Sequence, residues 1–225
     1  MAKNRVKAQT GHDRSPMEGH SENRELPSSG AKPVTSAGLA VTSFVCGACV
    51  MILEMAGSRV MAPYMGASLV VWTSLIGIIM ASLASGYWLG GVVSDKFPHQ
   101  DALARVIFRA SLTTTAIALI ANPLLELISS NIPNIYLGSV IAALCLFAAP
   151  SVILGMVSPF VVRLAIENLG SAGATVGRFS SLSSAGSILG TFLGGFVLIS
   201  FLSSRTILFL TAAALALVAV SMHGP

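Results

Sequence analysis

Residues 37–225 carry only five acids and seven Lys or Arg residues, and the apolar residues between them fall into runs long enough to cross a bilayer. A water-soluble domain carries about 25% charged residues, because its surface must be solvated. In this chain 10% of residues are charged and 54% are hydrophobic, and the charge is concentrated at the amino terminus. So few charges cannot coat an aqueous surface over such a length, so the solvent for residues 37–225 is lipid. A spanning segment must satisfy its own backbone polar groups, and the apolar runs here are helix-length rather than strand-length. The sequence therefore predicts an all-α, polytopic membrane protein of about six transmembrane helices.

A hydrocarbon core of about 30 Å takes about 20 helical residues. On that measure the spans fall at 38–61, 69–93, 103–121, 135–157, 180–201 and 205–222. The apolar run over 135–164 is too long for one straight span, and Pro150 and Pro159 interrupt it. A kinked or broken helix whose last turns leave the bilayer is expected there. Residues 124–130 are too short to span and are expected to lie at the interface. Residues 1–36 are polar and mix Ser, Gly, Pro and both signs of charge, the composition of a disordered tail. Because a full-length span follows so long a polar stretch, this is not the pattern of a cleavable signal peptide.

Orientation follows from the distribution of Lys and Arg. With the tail in the cytoplasm, its six bases are joined on that side by Lys96, Arg105, Arg109, Arg163 and Arg178. The opposite side receives only Arg59 and Arg205. This is the positive-inside pattern and places both termini of a multi-pass inner-membrane protein in the cytoplasm. The same bias explains the pI near 9.3 without nucleic acid, since no basic face with interleaved aromatics is present.

Few side chains offer chemistry. Glu54 lies inside the first span, where an ionised carboxylate costs roughly 2.5–3.5 kcal/mol on the insertion scale. It is expected to face the bundle interior, near Arg59 or near hydroxyls and freed backbone, either as a proton or cation site or as a structural ion pair. Tyr64 and Trp72 flank the outer boundary as interfacial anchors. The segment Gly91-Val-Val-Ser94-Asp95-Lys96 closes the second span, with Gly91 suited to close helix approach and Asp95 and Lys96 to latching neighbouring helix ends. An ordinary charged loop is the alternative. Gly186, Gly190 and Gly194 form overlapping small-xxx-small steps on the fifth span, as an oligomer contact or as internal packing. Cys46 and Cys49 stand at C-x-x-C spacing, yet within an apolar helix cysteine serves as a small hydrophobic residue. The histidines are scattered and the three cysteines make no disulfide framework, so no metal ligand set and no cofactor is expected.

One internal echo crosses the chain. Gly86-Tyr-Trp-Leu-Gly90-Gly91-Val-Val in the second span is matched by Gly190-Thr-Phe-Leu-Gly194-Gly195-Phe-Val in the fifth. Three spans separate the two, so a true duplication would be a 3+3 inverted repeat, as in many transporters. Shared small-residue packing is the other explanation.

Several of these stretches resemble a known family. Residues 53–68 (LEMAGSRVMAPYMGAS), 72–77 (WTSLIG) and 86–91 (GYWLGG) resemble the membrane domain of the fused spermidine-synthase-like proteins, and residues 158–163 (SPFVVR) and 186–195 (GSILGTFLGG) resemble its second half. The Gly91–Lys96 segment also resembles the loop signature of the major facilitator superfamily, although Pro98, His99 and Gln100 stand where its later bases would be. In the spermidine-synthase-like family an aminopropyltransferase-like domain follows the last span, whereas this chain reaches Pro225 without one. The resemblance therefore implies a membrane module with no transferase activity of its own, hosting or coupling a cytoplasmic aminopropyltransferase-like partner and moving a small amine or cationic solute. A half-transporter of the major facilitator type acting as a homodimer, and a structural subunit of a membrane assembly, are the alternatives.

Overall fold

The structure is a computed structural model that describes residues 36–166 and 172–223; the tail expected over 1–36 lies outside the described residues, save Ser36. Six helices are long and apolar enough to cross a membrane: α1 (Ser36–Met65), α2 (Leu69–Lys96), α3 (Gln100–Asn131), α4 (Ile135–Ala165), α5 (Ala172–Phe201) and α6 (Ser204–Met222). The chain is an all-α, multi-pass membrane protein. Large apolar side chains cover its exterior: Trp88 and Phe196 are 71% and 72% exposed, as lipid-facing residues are.

The structure bears on two expectations about the spans. Helix α4 is continuous across both prolines rather than broken. Each proline removes one backbone hydrogen bond, but packing against α2 holds the segment helical: Pro150 is buried, and Pro159 sits in the notch left by Gly90. Helix α3 runs through Pro123 to Asn131, so residues 124–130 are its last turns. Leu125 and Ile128 in those turns are buried in the bundle, which repays the lost bond. One feature had no counterpart in the expectations. Residues Leu193–Leu198 of α5 form a π-helical turn over the Gly194-Gly195 pair, where two missing side chains make the rewinding cheap.

The helices associate in three main pairs, each held by serine hydroxyls. In α2 and α4, Ser74 and Ser139 share a hydrogen bond at 2.9 Å. In α1 and α5, the Ser43 hydroxyl donates to the Phe179 carbonyl at 3.0 Å and the Ser187 hydroxyl to the Gly47 carbonyl at 3.1 Å. In α3 and α6, the Ser111 hydroxyl donates to the Ala212 carbonyl at 2.7 Å. Lipid offers these groups no partner, so they bond across helices. The first two pairs are parallel, as the order of paired residues shows, and the third is antiparallel, since Ser111 meets Ala212 while the earlier Asp101 meets the later His223.

Glycine permits the two parallel pairs. A Cβ on Gly86 would collide with the Val152 carbonyl oxygen, and one on Gly90 would lie 2.6 Å from the Met156 Cα. On the other pair, a Cβ on Gly186 would strike the Phe44 carbonyl and one on Gly190 the Ala48 carbonyl. Gly186 and Gly190 thus pack inside the bundle, against α1. Gly194 makes only ordinary contact with Ile52, and Gly91 faces open space, so Gly91 does not serve the close approach expected of it.

These contacts obey one rule. The shift along the chain that carries Gly86 to Gly190 and Gly90 to Gly194 also carries Ala48 to Val152 and Ile52 to Met156, the residues those glycines touch. Exchanging α1, α2 and α3 for α4, α5 and α6 turns the α2–α4 pair into α5–α1 and leaves α3–α6 in place. Corresponding helices cross in opposite directions. The contacts follow the pattern that a 3+3 inverted repeat would make.

Candidate functional site

Helix α1 lies against every other helix of the bundle, so a polar group on its inner side is enclosed by protein. Glu54 occupies that position. Its side chain is buried, at 5% exposure, and its Oε2 has no hydrogen-bond partner. The residues a turn to either side fix the direction of its face. Gly57 packs against Leu75 of α2 and Phe147 of α4. Val50 lines a small cavity among α1, α2, α4 and α5, together with the hydroxyl-bearing residues Ser43, Tyr87, Ser158 and Ser183. This cavity of about 30 Å³ is of the size that holds one water. Under the repeat shift Glu54 corresponds to Ser158, so the two halves bring a carboxylate and a hydroxyl to equivalent depths on α1 and α4.

Arg59 is not the partner of Glu54. Five residues turn a helix by about 500°, which points the two side chains to different faces, and α1 stays helical through Gly57 and Ser58. The Arg59 guanidinium instead reaches α5, where Nη2 donates to the Ile199 carbonyl at 3.0 Å. That carbonyl belongs to the last turn of α5, whose acceptors have no intrahelical donor.

At the opposite end of the bundle, Arg163 Nε donates to Asp95 Oδ1 at 3.1 Å and ties the end of α4 to the end of α2. Both side chains are about half or more exposed, so the pair contributes at most about 1 kcal/mol. Lys96 is exposed and makes no ion pair among the described residues. Nearby, His223 Nδ1 lies 3.2 Å from Asp101 Oδ1, bringing the end of α6 to the start of α3. Arg163 was expected on this side of the membrane but not as the partner of Asp95. The repeat shift was the available signal, since it carries Arg59 to Arg163 and Asp95 to Ile199, matching the two arginine contacts.

Tyr64 and Trp72 are half-buried on either side of the α1–α2 turn. Tyr64 lines a cleft between α1, α3 and α6 that sequence reasoning missed. Cys46 and Cys49 are buried in α1. No group of three or more metal-ligating side chains gathers among the described residues. What the central arrangement can do is limited and specific. A buried carboxylate with one oxygen unpartnered, and with no ion pair among the described residues, can hold a proton or an ammonium group.

No family model, no curated protein and no solved structure matches this chain.

Proposed function

We propose that this chain is a membrane transport module that moves a small amine or cationic solute, with Glu54 as the carboxylate that receives it. The observation that carries this is the placement of Glu54: buried, without an ion pair among the described residues, and on the helix that contacts all the others. Transporters built from inverted repeats place substrate and coupling-ion sites near the midplane at the repeat interface. An intramembrane carboxylate retained without an ion pair is costly as mere packing, which favours a functional role. One chain supplies both halves of the repeat, which favours a single copy over a homodimer of half-transporters as the transporting unit. By its resemblance to the spermidine-synthase-like proteins, the module serves a cytoplasmic aminopropyltransferase-like partner, to which aminopropyl transfer itself is assigned.

The test is uptake of radiolabelled putrescine, and of protons by an enclosed pH dye, into proteoliposomes holding the purified chain. Uptake above that of empty liposomes is expected for the native chain, and Glu54→Gln is expected to insert and fold but to lose it. Equal uptake by the native and Gln chains would leave Glu54 a packing role, and no amine or proton movement by the native chain would refute the proposal.

A further inference from the structure

The two bases that charge bias assigns to the outer side, Arg59 and Arg205, line one cavity. It has a volume of about 210 Å³ and lies between α1, α3 and α6. Tyr64, Asn122 and Ser204 supply its other polar lining, while Pro63 and Leu208 contribute apolar wall. No acid lines it. Glu54 faces a different side of α1, and Glu126 stands one turn beyond Asn122 on α3, outside the lining. Two guanidinium groups sharing a cleft with low-dielectric walls repel one another unless an anion joins them.

The inverted repeat sharpens the point. Arg163, which corresponds to Arg59, is neutralised by the Asp95 carboxylate. At the matching place Arg59 meets Ile199, whose carbonyl accepts one hydrogen bond and carries no charge. Arg59 therefore lacks the counter-charge that its counterpart has. Arg205 makes no hydrogen bond among the described residues and lies over the Phe209 ring, 5.9 Å from its centroid, so its N–H groups are available. A guanidinium fork matches the oxygens of a carboxylate or phosphate in a bidentate way, and hydroxyl and amide groups complete such a shell.

We infer that this outer cleft is an anion-binding site in which Arg59 and Arg205 together hold one carboxylate- or phosphate-type oxyanion, aided by Tyr64, Asn122 and Ser204. The oxyanion comes either from a soluble acid or from an anionic lipid headgroup at the outer surface. The site is distinct from the Glu54 face, and its test measures binding alone, so its failure is separate from failure of transport.

The full chain, purified in a neutral detergent, is titrated with inorganic phosphate and with acetate by isothermal calorimetry. In parallel, native mass spectrometry counts phosphatidylglycerol retained after extraction from nanodiscs of phosphatidylglycerol and phosphatidylcholine. Saturable binding of either soluble ion identifies a soluble ligand, and selective retention of phosphatidylglycerol alone identifies a lipid headgroup; both support the site. Arg59→Gln and Arg205→Gln are each expected to weaken binding roughly tenfold or more, whereas Arg163→Gln at the opposite end leaves it unchanged. If the Arg59 variant fails to fold, Arg205→Gln decides, because that side chain is exposed and makes no hydrogen bond or ion pair among the described residues. Absence of both soluble-ion and lipid binding, or binding that survives Arg205→Gln undiminished, overturns the inference.

Discussion

Glu54 shows how one side chain can be costly to the fold and central to the molecule. An unpartnered buried oxygen costs about 1–3 kcal/mol relative to a satisfied one, and its removal in favour of an apolar group of similar size is often stabilising. Glu54→Met is therefore expected to raise the unfolding midpoint of the detergent-solubilised chain, by an amount equivalent to about 1 kcal/mol or more. The same variant should be inactive wherever Glu54→Gln is inactive. A lowered midpoint would identify Glu54 as a structural residue with a polar partner, and the trade of stability for activity would not apply. Sequence alone found this residue, because a carboxylate inside an apolar run is conspicuous. It could not place Arg59, because reach across helices depends on which helix stands alongside.

The helix pairs depend on adjacent glycines with opposite roles. Gly90 and Gly91 are neighbours in α2, yet a Cβ on the first meets the Met156 backbone while a Cβ on the second meets nothing within 4 Å. Gly90→Ala is expected to destabilise the bundle by about 1–3 kcal/mol, since backbone on α4 must shift to admit the methyl group. Gly91→Ala is expected to be neutral or to stabilise by up to about 1 kcal/mol, because alanine favours the helix and no contact opposes it. Thermal unfolding of the two variants side by side checks the pair. Equal losses at both positions would mean that a methyl group at Gly91 also meets a neighbour, and equal gains would mean that helix propensity, not helix approach, governs this segment. The glycine repeats were legible in the sequence as small-residue patterns, but a run of glycines does not say which of its members faces a neighbour. The continuity of α3 and α4 was illegible for a related reason. Proline is a local signal for a helix end, and burial of Leu125, Ile128 and Pro150 against other helices outweighs it.

At the scale of the molecule, the inverted repeat joins topology to charge. Asp95, Arg163, Asp101 and His223 gather at one end of the bundle, and Arg59 and Arg205 stand at the other. With the base-rich end facing the cytoplasm, a reporter fused after Pro225 is expected to read as cytoplasmic and one inserted between Asn131 and Ile135 as external. A phosphatase and fluorescent-protein pair at both positions checks this, and an external signal at the carboxyl end would reverse the orientation. The echo between residues 86–93 and 190–197 is weak as sequence and strong as structure. Two glycine motifs alone fit shared packing equally well. The same shift also relating their contact partners, and both arginine contacts, fits duplication.

The sequence by itself determined the solvent of this protein, the number of its spans and the place of Glu54 within the first of them. Those follow from transfer free energies summed along short segments, which neighbours in space do little to change. Only the tertiary structure decided which helices pair, which glycines lie at their crossings, that Arg59 meets Ile199 and not Glu54, and that Arg59 and Arg205 share a cleft. Each of these is a contact between residues far apart in the chain, fixed by how six apolar cylinders of similar composition pack. In lipid, many pairings of such helices bury similar apolar surface. The choice among them falls to a few glycines and serines whose partners no local pattern names.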